Sequence, residues 1–170
     1  MQLKNKGISS AEALFIIFLI AIISLLAYPA LESLIIKNKY ETTKILLANS
    51  IFIARETSIF ENKHLELCGT SNFKDCDTDW SKGWLIREYQ SKEVISAYEN
   101  SSKATVLWKG ISPTVRFSSQ GTTAIGNGSF IICVKNNIRG KIVLSRQGRV
   151  RYVETQAERA SASVDQPSCT

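Results

Sequence analysis

Fifteen consecutive residues near the start of the chain, Ala13 to Ala27, carry no charge and, apart from Ser24, no polar side chain. One face of a helix cannot account for such a run. A helix that is apolar all round has to sit in lipid or inside a bundle of other helices. A single carboxylate, Glu12, stands at the head of this run. An ionised group at that place is costly to desolvate and calls for a partner of opposite charge. The chain has 170 residues, 44% of them hydrophobic, and the apolar ones are concentrated here. What remains is long enough for one soluble domain with a real core and too short for two.

Ahead of the run lies Met1-Gln-Leu-Lys-Asn-Lys-Gly7, a short basic segment ending in glycine, followed by Ile8-Ser-Ser-Ala-Glu12. One reading is a secretory signal peptide, with small residues for cleavage near Ala27 and Ala30. Two features oppose it: Lys6-Gly7 precedes the apolar stretch, and a carboxylate opens it. The arrangement resembles the class III leader of type IV pilins and pseudopilins. The resemblance implies cleavage by a prepilin peptidase between Gly7 and Ile8, and N-methylation of Ile8. Glu12 then falls at the fifth mature position, where the family carries its glutamate, and Pro29 at the twenty-second, where it carries a helix-bending proline. By the same resemblance, Glu12 and Pro29 serve subunit assembly, Glu12 pairing with the terminal amine of a neighbouring subunit. An amine and a carboxylate buried together are favoured over either buried alone. The chain departs from the family in carrying Ile8 for the usual phenylalanine and Ser9-Ser10-Ala11 for Thr-Leu-Ile.

From Leu31 to about Asn62 there is no proline or glycine, and Ile35, Tyr40, Leu46, Leu47, Ile51 and Ala54 recur at helical intervals. This predicts one helix, apolar over 8–36 and amphipathic over 37–62, its stripe laid on a globular head. Beyond Lys63 the pattern becomes period two. Short stretches rich in β-branched and aromatic residues (64–68, 83–89, 104–111, 114–118, 130–134, 141–145 and 149–154) alternate with turn compositions such as Gly126-Asn-Gly128, Asn136-Asn137 and Gln147-Gly148. The expected fold class is α+β, a long N-terminal helix packed on a mostly antiparallel sheet, with a head over 63–154 and an irregular tail over 155–170. Pattern alone thus leads to the pilin architecture.

Within the head, Trp80-Ser-Lys-Gly83-Trp84, Ser129-Phe-Ile-Ile-Cys133 and Ser145-Arg-Gln-Gly148-Arg149-Val-Arg151 resemble elements of the GspH/FimT group of minor pilins and pseudopilins. Core packing is the expected role of Trp80, Trp84 and Trp108, against a stacking platform for a sugar or base. The charge map adds a separate signal. No Asp or Glu occurs between Glu99 and Glu154, a stretch that holds Lys103, Lys109, Arg116, Lys135, Arg139, Lys141, Arg146, Arg149 and Arg151. A one-sided positive field attracts nucleic acid, anionic lipid or an acidic partner. In a strand after Gly148, Arg149 and Arg151 share one face, about 7 Å apart. The resemblance to FimT-type pilins, in which a Gly-Arg-x-Arg motif binds DNA during natural transformation, implies that Arg149 and Arg151 contact double-stranded DNA. Arg139, Lys141 and Arg146 join them by proximity in the hairpin. Edge protection and solubility are the competing role for these arginines.

Four cysteines, Cys68, Cys76, Cys133 and Cys169, beside an export signal suggest two disulfides in an oxidising compartment. Three pairings are open; Cys68–Cys76 closing a local loop and Cys133–Cys169 holding the tail is the expected one. No metal site is expected, because the cysteine spacing is not CxxC and His64 is the sole histidine. Asp75, Asp77 and Asp79 alternate but lack the glycine and closing glutamate of a calcium loop. No catalytic motif is present, so neither catalytic residues nor cofactors are expected. The implied partners are other pilins, the inner-membrane assembly machinery, the peptidase and DNA. The implied location is the inner membrane, head in the periplasm, and then the pilus surface.

Overall fold

The computed structural model describes residues 10–154 and 169. The expected processing site, Gly7 and Ile8, and most of the tail lie outside the described residues. The chain divides into two compact units, residues 1–37 and 38–170, and one helix, α1 (Ser10–Phe60), contributes to both.

In the first unit Glu12 is exposed in the first turn of α1, where a negative charge complements the helix dipole. Leu14, Phe15, Ile17, Phe18, Ile20 and Ile23 are exposed as well. Over an 18-residue stretch of mean hydropathy 2.7, α1 is long and apolar enough to cross a membrane. Pro29 lies inside it and removes one backbone donor from the ladder.

In the second unit α1 buries Tyr40, Thr43, Leu47, Ala48, Ser50, Ile51, Ala54 and Ser58, a stripe at helical spacing. The expected stripe included Ile35 and Leu46, but Ile35 is exposed and Leu46 only half-buried. Small hydroxyl residues take the inward places instead, because each has a partner there: Thr43 Oγ1 donates to the Lys39 carbonyl (2.9 Å), Ser50 Oγ to Leu46 (2.8 Å) and Ser58 Oγ to Arg55 (2.7 Å). The helix stops two residues before the expected Asn62. Asn62 has φ of 52°, Lys63 N–H donates to the Ser58 carbonyl and Asn62 N–H to Ile59. That is a Schellman cap with asparagine in the left-handed position.

Among the described residues eight strands follow: β1 (Leu65–Gly69), β2 (Gly83–Glu88), β3 (Val94–Glu99), β4 (Thr105–Gly110), β5 (Val115–Phe117), β6 (Gly128–Val134), β7 (Asn137–Leu144) and β8 (Val150–Glu154). They form two antiparallel four-stranded sheets, in the orders β3-β2-β1-β5 and β4-β6-β7-β8. The sequence pattern predicts one sheet and no strand at β3. β3 is an edge strand with Val94 and Ile95 both exposed, so no alternation marks it. The reversal expected at Asn136-Asn137 is made by Lys135 and Asn136, with φ of 54° and 58°. Positive φ at both central residues gives a two-residue hairpin loop, and β7 therefore begins four residues before the expected Lys141.

The core lies between α1 and the sheets. Trp84 is fully buried and its indole N–H donates to Ser50 Oγ at 2.8 Å. Trp80 packs edge-on against Phe130, and Trp108 lies 4.4 Å from the same ring. The tryptophans thus pack the interior rather than form an open platform. The close approach of β3 explains Gly83 in the Trp80–Trp84 element, since a Cβ there would collide with the Tyr98 carbonyl oxygen. Disulfides join Cys68 to Cys76 and Cys133 to Cys169.

Candidate nucleic-acid interface

The turn between β7 and β8 is built by backbone chemistry first. Gly148 N–H donates to the Ser145 carbonyl (2.9 Å), Ser145 N–H donates to the Arg149 carbonyl (3.0 Å), and Gly148 has φ of 73°. This is a three-residue hairpin loop, a tight turn followed by a glycine in the left-handed region. A Cβ on Gly148 would also lie 2.5 Å from the Gly121 carbonyl oxygen and 3.0 Å from Arg55 Cδ. Glycine is required here both for its conformation and for close approach.

Two residues from distant segments clamp the turn. Thr123, fully buried, donates its N–H to the Arg146 carbonyl and its hydroxyl to the Ser145 carbonyl, both at 2.8 Å. Arg55, on α1, donates from Nε to the Gly121 carbonyl at 3.1 Å. No motif around Gly148 contains Thr123 or Arg55, and sequence reading missed both.

The strand register then places the basic side chains. Val143 pairs with Arg151 and Leu144 with Val150; Ser145 faces Arg149 across the turn. Arg149 and Arg151 therefore share a face with Val143 and Lys141, opposite buried Ile142 and Leu144. Both arginines are exposed, and no ion pair to either occurs among the described residues. Arg146 is exposed at the tip of the turn and Lys141 is half-buried. Arg139 is not brought to them: it is the extra residue of a bulge opposite Ile132 and Cys133, at the other end of β7. Tyr152 shares the face of Val150 but is exposed at the sheet edge, near Lys44 of α1.

A second charged cluster lies on the other sheet, where Glu66 is buried among cations. Arg87 Nη2 approaches its carboxylate at 2.7 Å, Lys92 at 3.5 Å and Arg116 at 3.6 Å, and Thr114 Oγ1 donates at 2.8 Å. Burial alone would raise its pKa. Hydrogen bonds from Arg87 and Thr114, with the charges of Arg87 and Lys92, outweigh that effect and hold the carboxyl below its ordinary value. The alternating aspartates are occupied locally. Asp77 accepts from Ser71 and from Asp79 N–H, and these bonds hold its pKa low against the opposing effect of burial.

A long N-terminal helix lying along antiparallel sheets, with its own apolar half before the head, defines a pilin-type subunit. The profile of the GspH family, described as Type II transport protein GspH, matches residues 46–148. That is more than half of the chain, and the protein belongs to this family. Two crystal forms of the type IV minor pilin FimU of Pseudomonas aeruginosa strain PAO1 have a similar structure. One is 19% identical, with a TM-score of 0.57 over 71% of this chain and 92% of that one. The other is 16% identical, with 0.56 over 68% and 94%. At such identities the likeness concerns the fold. No curated protein matches the chain.

Proposed function

We propose that this chain is a minor pilin of a type IV pilus that holds DNA through Arg149 and Arg151 and contributes to DNA uptake. The observation that carries the reading is the pair of exposed guanidiniums, without an ion pair among the described residues, on one face of a clamped hairpin. It stands in a stretch from residue 100 to 153 without a carboxylate. Two fixed cations suit phosphates, so binding is largely independent of base sequence and falls with salt. Arg146 and Lys141 flank the pair. The test is fluorescence anisotropy of a labelled duplex with the full chain in uncharged detergent. The wild type binds at low salt and Arg149→Gln/Arg151→Gln loses most of that binding. An unchanged affinity in the double variant removes the reading.

The N-terminal part of the proposal is that a prepilin peptidase cleaves between Gly7 and Ile8, and Ile8 is methylated. Glu12 then pairs with the amine of a neighbouring subunit, and Pro29 bends the helix for packing with other pilins. Before assembly the protein is anchored in the inner membrane with its head in the periplasm. The description of the matched family as a type II transport protein supports a second reading, a structural pseudopilin or assembly-priming pilin without DNA binding. The anisotropy experiment separates the two.

A further inference from the structure

The register of the second sheet aligns residues that the sequence keeps far apart. Lys109 on β4 pairs with Ser129 on β6, Ser129 with Val143 on β7, and Val143 with Arg151 on β8. Directly paired residues of neighbouring strands point to the same face. Lys109, Ser129, Val143 and Arg151 therefore form one row across the whole sheet, on the side opposite buried Phe130 and Ile142. β4 and β8 are its two edges. Three inter-strand steps separate Lys109 from Arg151, about 14 Å. Lys109 is exposed, and among the described residues no ion pair involves it.

The direction in which positive charge continues from the arginine pair follows from this row. Along the strands the next pair on that face is Val153 with Lys141, the first apolar and both half-buried, so the arginines meet no exposed cation at the next position in that direction. Across the sheet the charge resumes at Lys109, beyond the short side chains of Ser129 and Val143, which leave a low floor between the two cations. We infer that the phosphate backbone of bound nucleic acid crosses the strands from Arg149 and Arg151 to Lys109, and that Lys109 is a further phosphate contact. This rests on the DNA reading above. The competing role for an exposed lysine on an edge strand is protection against strand pairing, which needs no ligand.

The full chain in uncharged detergent, titrated against a labelled duplex of arbitrary sequence over a series of salt concentrations, separates these roles. Each lost phosphate contact makes the slope of log affinity against log salt shallower by about 0.9. Lys109→Gln shows that loss and Lys109→Arg restores the wild-type slope. Lys74→Gln, an exposed lysine of the 70–79 loop, leaves the slope unchanged. A Lys109→Gln slope equal to wild type, with Arg149→Gln/Arg151→Gln still impaired, overturns the inference and leaves the arginine reading intact. Equal losses in Lys109→Gln and Lys74→Gln overturn it as well, because net charge alone then accounts for both. No wild-type binding at low salt removes the DNA reading and this inference together.

Discussion

Glu66 has a carboxylate that is 3% exposed yet faces three cations, so its ionised form is what the fold needs. Sequence spacing does not reveal this, because Arg87 and Arg116 reach it only through the pairing of β1 with β2 and β5. A charge-assisted hydrogen bond to such a group contributes about 2 kcal/mol. Glu66→Gln should therefore unfold more readily in urea at neutral pH by about that amount. The sign with pH follows from the lowered pKa. The unfolded chain binds the proton near the ordinary value of 4.5, and the folded chain only at lower pH. The stabilisation is thus complete above 4.5 and fades as pH falls through the folded value. The gap between wild type and Glu66→Gln should narrow below pH 4.5. A gap independent of pH would mean that the carboxylate contributes by shape rather than by charge.

At the scale of elements, α1 was legible because its period and its lack of glycine or proline from Leu31 to Asn62 are local signals. The loop at Gly148 was legible for the same reason. What escaped were features made by distant segments. β3 carries its large apolar residues Val94 and Ile95 on opposite faces, both exposed, and the division into two sheets depends on which strands pair. The clamp on the basic turn comes from Thr123 and Arg55, many residues away. The strand pattern did identify Arg149 and Arg151 as neighbours on one face, whereas Arg139 stands near the start of β7, four residues before Val143, the partner of Arg151. The two disulfides differ in span, with separations of 8 and 36 residues. In the chain-entropy picture the shorter stabilises by about 2.5 kcal/mol and the longer by about 4 kcal/mol. Replacing Cys133 and Cys169 by serine should lower the thermal midpoint more than replacing Cys68 and Cys76. The reverse order would show that the local bridge acts on packing around β1 rather than on the unfolded chain.

Across the whole molecule, the boundary in charge coincides with the boundary between sheets. The three long strands of the first sheet and their connecting loops carry Glu66, Asp75, Asp77, Asp79, Glu88, Glu93 and Glu99, whereas β4 and β6–β8 with their hairpin loops hold cations and no acid before Glu154. The chain order therefore sorts electrostatics by sheet; the run without acids is visible in the sequence, and the sheet boundary it follows comes from strand pairing. At the other end, exported protein analysed by mass spectrometry should begin at Ile8. A product beginning near residue 31 would leave a secreted β-rich protein without its apolar helix. The clamped hairpin has one last consequence. With Gly148 confined to one backbone conformation and Thr123 bonded to two successive carbonyls, the Arg149–Arg151 spacing behaves as a gauge rather than a tether. On the DNA reading, Gly148→Ala, whose Cβ would meet the Gly121 carbonyl oxygen, should then weaken duplex binding in the anisotropy experiment without removing a charge.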